Sequence, residues 1–379
     1  MPASNLAETI AWWGIGLGTV LGFVANKCNF CTMGAVSDIV NMGDWGRMRT
    51  WLLAIAVAMI GTNALAYLGY LDLSKTSYTG NVFPWLAYIV GGVCFGVGMT
   101  LASGCGYKSL ARIGSGNLKS LVVLVFFGLA AMMTMKGLLG VFRLKVLQVP
   151  AFTLMFDQGQ TLPAQLANLG GIDPGTMQLV TTGVIALALL LFVMKDADFR
   201  RNFDNNLAGF IIGLVVIAGW YVTGHLGLAE NPETLELSYY GTNSRLAESI
   251  SLTGPIAFSM ELLSYWSDTS KAVTFGIGVA FGIAIGSCIY AVLSKSFRLE
   301  HFSSTEDMLR HIAGAMLMGF GGVTSTGCSI GQGLTGVSTL SMGSLLTFFS
   351  IVMGAAITMT IQYNLMMRPS YSEASARFP

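Results

Sequence analysis

The residues best suited to chemistry in this chain of 379 residues are six cysteines, two of which occupy matching places. Cys105 ends the stretch GGVCFGVGMTLASGC, and Cys328 ends the stretch GAMLMGFGGVTSTGC. Each follows a small hydroxyl residue and a glycine at the end of an apolar run. A thiol is a weak hydrogen-bond donor with a soft sulfur, and apolar surroundings favour its neutral form. Neutral thiols along a path would suit a small anion that presents sulfur.

The composition places these cysteines in a membrane protein. Hydrophobic residues make up 53% of the chain and charged residues 10%, and the mean hydropathy is +0.65. A soluble domain carries about 25% charged residues. We therefore predict an all-α polytopic membrane protein surrounded by a lipid bilayer. The net charge of +1 argues against a nucleic-acid partner.

Apolar runs of about 17–25 residues predict nine spanning helices. Lys and Arg in the short loops favour an N-terminus outside and a C-terminus in the cytoplasm. Lys136, Arg143 and Lys145 are exceptions that fall on the outer side, where they could attract an anion. The predicted spans are 9–27, 50–72, 83–102, 117–139, 179–195, 206–226, 271–293, 307–325 and 341–364.

Four further apolar pieces are too short or too interrupted to span. They are the segments 30–41 and 251–266 and the pieces that follow Cys105 and Cys328. We predict that they are half-helices or re-entrant pieces, which at membrane depth must be buried in protein or line a polar cavity.

Matching motifs indicate that the chain repeats itself within a single membrane domain. Cys105 aligns with Cys328, and a second match pairs IGLGTVLGF with IGLVVIAGW. Moving five spans along the chain reverses direction, so the predicted repeat is inverted, as in many secondary transporters. The predicted parts are 9–139 for the first repeat, 179–195 for the connecting helix and 206–364 for the second repeat.

The two Gly-Cys breaks predict an anion site. A helix that ends at mid-membrane leaves unpaired carbonyls, and the half-helix that begins next leaves unpaired N–H groups. Glycine lets the chain turn there, and the N–H end carries the partial positive charge that binds anions. The predicted residues are Ser103, Gly104, Cys105, Gly106 and Lys108 at the first break and Thr326, Gly327, Cys328, Ser329 and Gln332 at the second.

Cys28 and Cys31 form a CxxC pair, a spacing that also occurs in redox and metal sites. The chain has no second CxxC, and its three histidines lie in the other half. We therefore predict no metal, no cofactor and no catalytic residues, and we keep a thiol–disulfide oxidoreductase that uses Cys28 and Cys31 as an alternative function. Asp38 is expected to pair with Arg47 or Arg49.

These motifs resemble those of a known family. The stretches that carry the resemblance are GFVANKCNFCTMGAVSD, GMTLASGCGYKSLARIGSGNLKSL and GFGGVTSTGCSIGQGLTGVSTLSMGSLL. They look like the YeeE/YedE family of bacterial inner-membrane sulfur transporters, over residues 10–364. Cys28 and the loop 145–178 have no obvious counterpart in that family.

The resemblance implies a fold and a function. The implied fold has nine spans in an inverted repeat, with a waist between an outer and an inner indentation. The implied function is uptake of thiosulfate or a related sulfur species past three pathway cysteines, which fall on Cys31, Cys105 and Cys328. Family members often act with a small TusA-like sulfur-carrier protein at the cytoplasmic face.

The sequence thus predicts a transporter of a small sulfur-containing anion, not an enzyme. We expect Cys328 towards the outer side and Cys105 towards the inner side, with Lys108 and Arg112 drawing the anion inward. A membrane sensor that reports sulfur species to a cytoplasmic regulator remains an alternative, because a sensor derived from a transporter keeps its site. An ATP-driven pump is disfavoured because the chain has no GxxxxGK[ST] loop.

Overall fold

Long helices make up most of the protein. The computed structural model describes residues 3–230, 235–268 and 272–367. Within these ranges each predicted span coincides with a long helix. The long helices are α1 (Ala3–Lys27), α3 (Gly46–Tyr67), α4 (Trp85–Leu101), α6 (Leu118–Lys136), α9 (Pro174–Met194), α11 (Phe203–Tyr221), α13 (Phe275–Leu293), α14 (Thr305–Thr324) and α15 (Met342–Met367). The shorter helices are α2 (Thr32–Met42), α5 (Gly106–Gly114), α7 (Leu138–Phe142), α8 (Leu162–Gly170), α10 (Ala197–Arg201) and α12 (Thr253–Ser264).

Hydropathy separates α14 from the other long helices. In the described ranges, eight helices are long and apolar enough to cross a membrane, and α14 is not among them. Its first turns carry Glu306, Asp307 and Arg310, which lower its hydropathy. α14 nevertheless packs along both α4 and α6. The prediction of an all-α polytopic membrane protein is confirmed.

The four short pieces are short helices, as predicted. Residues 30–41 and 251–266 correspond to α2 and α12, and α5 begins directly after Cys105. After Cys328 the chain forms a helix over residues 329–338, built around the π-helical turn Gly331–Gly336. Each is too short to cross a bilayer at 1.5 Å per residue.

Glycine contacts give the relative directions of the packed helices. A side chain on Gly18 of α1 would strike the carbonyl of Val279 of α13, and one on Gly22 would strike that of Ile283. The contact therefore advances in the same direction along both helices, so α1 and α13 are parallel. By the same reasoning α3 is parallel to α11, and α4 is parallel to α15.

The contact between α4 and α14 is reciprocal and antiparallel. A Cβ on Gly98 would lie 2.5 Å from the Gly314 carbonyl oxygen, and one on Gly314 would lie 2.6 Å from the Gly98 carbonyl oxygen. Gly91 and Gly321 meet in the same mutual way. Rising numbers on α4 thus meet falling numbers on α14, so the C-terminal ends of these two helices lie at opposite ends of the bundle.

The segment between α6 and α9 has more structure than the loop that the sequence predicts. It contains α7, the π-helical turn Arg143–Leu147, α8 and the strand β2 (Leu154–Met155), which pairs antiparallel with β1 (Val82–Phe83). The N–H of Leu162 donates to the Leu340 carbonyl, which ties the segment to the end of the helix 329–338. A second antiparallel pair forms between β3 (Leu228–Glu230) and β4 (Leu237–Tyr239).

Ion pairs at one end of the bundle agree with the expectation for Asp38. Its buried carboxylate forms a two-bond ion pair with Arg47. Arg49 pairs instead with Asp196, which precedes α10, at 2.6 Å. Because a bidentate arginine–carboxylate pair has a fixed geometry, the Asp38–Arg47 contact holds α2 against the start of α3.

Candidate functional site

Three breaks in the chain share one backbone conformation. Asn29, Ser103 and Thr326 have φ angles of 50°, 56° and 59°, in the left-handed region that residues other than glycine rarely adopt. Each of them stands two positions before a cysteine, and a short helix begins directly after that cysteine. The three cysteines are Cys31, Cys105 and Cys328.

The same hydrogen bond closes each of the three breaks. The residue after the left-handed one donates its N–H to a carbonyl five positions back, which is the longer bond of a Schellman helix ending. The N···O distances are 3.0 Å from Phe30 to Ala25, 2.8 Å from Gly104 to Met99 and 2.7 Å from Gly327 to Gly322. α1, α4 and α14 therefore end in the same way, and each ending presents a cysteine.

The cysteines lie at the N-termini of the three short helices. Cys31 precedes α2, and its sulfur accepts a hydrogen bond from the Gly34 N–H at 3.5 Å. The sulfur of Cys328 accepts from the Gly331 N–H at 3.3 Å. The N–H of Lys108, three residues after Cys105 on α5, faces the Cys105 sulfur without reaching normal hydrogen-bond geometry. All three thiols are buried and free of disulfides.

The three thiols belong to one neighbourhood. The charge of a Cys105 thiolate would interact directly with both Cys31 and Cys328. The Ser329 hydroxyl faces the Cys105 thiol but makes no hydrogen bond of normal geometry. The Thr32 hydroxyl, beside Cys31, is likewise buried without a partner in the described chain. Buried polar groups normally find partners, so unpaired hydroxyls next to thiols mark a place where a ligand could supply the bond.

A cleft of about 300 Å³ ends at the break before Cys328. We call it the Thr326 cleft, because the exposed residue Thr326 lines it. Its wall includes Gly327, Tyr78 and Arg143. Burial raises the pKa of the Tyr78 hydroxyl, which therefore stays protonated and able to donate.

A second cleft, of about 520 Å³, ends at the break before Cys105. We call it the Ser103 cleft, and its wall includes Lys108 and Arg112. Arg112 donates to the Ser103 carbonyl at 2.7 Å, and the Lys108 ammonium donates to the Asn29 side chain at 2.5 Å. Because Ser103 and Thr326 follow the C-terminal ends of the antiparallel helices α4 and α14, the two clefts lie at opposite ends of the bundle.

The remaining predicted residues shape the breaks. A side chain on Gly104 would meet Lys108, one on Gly106 would meet Ile256 and Phe127, and one on Gly327 would meet Gln332. Gln332 is buried and donates to the Ser325 carbonyl at 2.5 Å and to the Thr326 hydroxyl at 2.9 Å. It thus braces the end of α14 and does not line the Thr326 cleft.

Aromatic residues that the sequence did not single out surround the thiols. Phe30 stacks on Trp51 with ring centroids 4.7 Å apart and meets Tyr107 edge-on at 6.5 Å. The Tyr78 hydroxyl faces Ser251, and its charged form would interact with Cys328. Tyr78 lies in the connection between α3 and α4, where no hydropathy pattern marks it. Only the tertiary structure brings it to the site.

Cys28 and Cys31 contact different elements. Cys28 is half-buried and donates to the Asp204 carbonyl, on α11, at 3.5 Å, whereas Cys31 faces the start of α2. Both thiols are free in this structure. Among the described residues, no three His, Cys, Asp or Glu side chains form a group that could hold a metal ion.

Comparison with known proteins identifies the family. The family model described as sulphur transport matches residues 27–357, which include all three breaks. This chain is a member of the YeeE/YedE sulphur transport family. The resemblance read from the cysteine motifs is therefore confirmed.

Two relatives of this family member are named as transporters. One is the thiosulfate transporter TsuA of Escherichia coli K12, which is 25% identical over 357 residues, covering 90% of this chain and 91% of the relative. The other is the thiosulfate transporter TsuA of Spirochaeta thermophila, which is 26% identical over 353 residues, covering 90% and 96%. These names agree with the prediction that the protein is a transporter and not an enzyme.

Proposed function

We propose that this protein transports thiosulfate across the membrane along a path lined by Cys328, Cys105 and Cys31. The observation that carries the proposal is the pair of clefts at opposite ends of the bundle, each ending at a Gly-Cys break, together with the buried thiols of Cys31 and Cys328 near that of Cys105. Both relatives are named for thiosulfate, which is the substrate class that soft thiol donors fit.

The path would bind the anion with weak, neutral donors. The short helices that begin after the three cysteines direct their N-termini towards the thiols, and a helix N-terminus stabilises an anion without a formal charge. The unpaired hydroxyls of Thr32 and Ser329 add donors. Because each donor is weak, the anion can leave one site for the next, as conduction requires.

Lys108 and Arg112 would attract the anion at the Ser103 cleft. No ion pair of either residue occurs among the described residues, although Lys119, in the same cleft, pairs with Asp307 at 2.8 Å. An unpaired cation at a cleft mouth raises the local concentration of anions. Their contacts with Asn29 and the Ser103 carbonyl keep both side chains at the break.

The inverted repeat is part of this proposal. Under the repeat, Gly91 of α4 corresponds to Gly314 of α14, and Gly98 corresponds to Gly321. A two-fold relation requires each contact to recur with its partners exchanged. The contacts Gly98–Gly314 and Gly91–Gly321 satisfy this requirement. The packing of α1 on α13 and of α11 on α3 recurs in the same exchanged form.

We further propose that the protein lies in the bacterial inner membrane with its N-terminus outside and its C-terminus in the cytoplasm. The loop basic residues support this orientation, which places the Ser103 cleft on the cytoplasmic side. A small TusA-like sulfur carrier would then receive the anion at that cleft. A reporter enzyme that is active only in the cytoplasm, fused after residue 379, tests the orientation, and an inactive fusion that is stably expressed would contradict it.

Uptake of radiolabelled thiosulfate into proteoliposomes tests the proposal. We expect Cys31→Ala, Cys105→Ala and Cys328→Ala to slow uptake about tenfold or more, since losing the partner of a buried polar group costs about 1–3 kcal/mol. Cys94→Ala and Cys288→Ala are matched controls, because these half-buried cysteines lie within the uninterrupted helices α4 and α13. Sulfate, sulfite and selenite serve as competitors.

Two results would contradict the proposed function. Normal uptake by all three pathway variants would exclude the thiol path. Binding of thiosulfate by the unaltered protein without any flux would exclude transport and favour the sensor that the sequence left open.

A further inference from the structure

The structure separates three basic residues that lie close together in the sequence. Lys136 forms an ion pair with Glu261 at 2.9 Å. Lys145 is exposed. Arg143 is half-buried, its Nε atom is fully enclosed without a hydrogen-bond partner, and it has no ion pair within the described ranges. Of the three residues, Arg143 alone is partly enclosed by the protein and has no carboxylate paired with its charge in the described ranges.

Arg143 reaches the cleft that leads to Cys328. It begins the π-helical turn Arg143–Leu147 and lines the Thr326 cleft together with Thr326 and Gly327. Leu147, at the end of the same turn, is buried, which anchors the turn in place. The Arg143 guanidinium and the last turn before Cys328 therefore enclose the same space.

The rest of the cleft wall is compatible with an anion. Tyr78, Ser251 and Thr253 present hydroxyls, and the Thr253 hydroxyl is buried without a partner in the described structure. The carboxyl group in this wall belongs to Glu248, which accepts hydrogen bonds from the Ser244 N–H and hydroxyl and forms no ion pair with Arg143. Burial raises the pKa of Glu248, which favours its neutral form.

A half-buried guanidinium without a carboxylate partner suits an anionic ligand. Burial lowers the pKa of Arg143, because desolvation disfavours its charged form and no carboxylate offsets that cost. An anion in the cleft would supply the missing charge. The planar guanidinium offers parallel N–H donors that match two oxygens of a tetrahedral oxyanion, a geometry that lysine cannot reproduce.

We propose that Arg143 is the binding residue that captures the sulfur oxyanion in the Thr326 cleft before it reaches Cys328. This inference rests on the proposed function and adds a first binding step to it. Arg143 holds the oxygens of the anion, and the thiol of Cys328 then donates a hydrogen bond to its terminal sulfur, with no covalent bond made or broken. The cleft thereby has a charged capture site followed by a neutral path.

Transport measured in both directions tests this role. The unaltered protein, Arg143→Gln, Arg143→Lys and Lys145→Gln are reconstituted in one orientation, and the initial rate is measured against thiosulfate concentration from each side. Lys145→Gln is the matched control, because it removes a charge of the same sign from the exposed face of the same turn.

The expected result is specific to one side. Arg143→Gln raises the half-saturating concentration about tenfold or more from the side of the Thr326 cleft, as expected for loss of a charge-assisted pair. From the side of the Ser103 cleft this concentration does not change. Arg143→Lys recovers part of the loss, and Lys145→Gln behaves as the unaltered protein does.

Other results separate this inference from the proposed function. An unchanged half-saturating concentration in Arg143→Gln overturns the capture role and leaves transport intact. An equal loss from both sides also overturns it, because it reports a structural role of the side chain. Absence of flux in the unaltered protein overturns the proposed function itself.

Discussion

Ser103 and Thr326 have the same left-handed backbone conformation although 223 residues separate them in the chain. Each follows the C-terminal end of one of two antiparallel helices and stands two residues before a buried cysteine. Their side chains line clefts at opposite ends of the bundle. Asn29 has this conformation as well, at the break before Cys31. One backbone device, used three times, thus presents the three thiols.

Relief of backbone strain at Ser103 should stabilise the protein. The left-handed conformation costs an L-residue about 1–2 kcal/mol, and glycine adopts it freely. We expect Ser103→Gly to raise the free energy of unfolding by up to about 1 kcal/mol, because the Ser103 side chain makes no hydrogen bond within the described structure. Ser103→Val should lower it. Thermal unfolding in detergent measures both changes, and equal shifts in the two variants would contradict the explanation.

A methyl group at Gly314 should disrupt the crossing of α4 and α14. Its Cβ would lie 2.6 Å from the Gly98 carbonyl oxygen, and backbone cannot move aside as a flexible side chain can. We expect Gly314→Ala to lower the free energy of unfolding by about 1–3 kcal/mol, as overpacking does. Gly183→Ala on α9 is the control, because its Cβ would meet nothing within 4 Å. Size-exclusion profiles and melting temperatures would reveal the difference, and equal stability of the two variants would refute it.

The brace formed by Gln332 should also contribute to stability. Gln332→Met keeps the length of the side chain but leaves the Ser325 carbonyl without its 2.5 Å hydrogen bond. The expected loss is about 0.5–1.5 kcal/mol in the free energy of unfolding, which is the net contribution of one hydrogen bond, because the Ser325 carbonyl still accepts from the Thr326 hydroxyl at 2.8 Å. Gln165→Met removes a comparable bond to the Gly159 carbonyl from a less buried position and should cost less. A larger loss in Gln165→Met would refute the role assigned to Gln332.

Glu248 should make stability depend on pH. Burial raises the pKa of its carboxyl group in the folded protein, so folding favours the protonated form. Its contribution to stability is therefore present below the ordinary carboxyl pKa and is lost as the pH rises through the raised value. We expect Glu248→Gln, which still accepts from Ser244, to be more stable than the unaltered protein at neutral pH and to match it in acid. Melting temperatures across pH 4 to 8 measure this, and a constant difference would count against it.

Hydropathy and glycine placement predicted much of the fold. Every predicted span corresponds to a long helix, and the four short pieces are short helices, because a bilayer demands long apolar runs and internally satisfied backbone. The repeated motif predicted that Cys105 and Cys328 lie in similar local structures, each at a break between two helices. The chain segment 137–173 was harder to predict, because its short helices and strand are held by contacts with β1 and with Leu340.

The amino-acid sequence by itself determined the membrane class, the helix order, the two Gly-Cys breaks and the family. These depend on local hydropathy and on residue types at short spacing. The tertiary structure alone decided that Asn29, with no glycine after it, bends as Ser103 does, and that Tyr78 reaches Cys328. It also decided that Lys136 is paired while Arg143 faces a cleft uncompensated. Such properties depend on which distant groups fold against a side chain, and no local pattern carries that information.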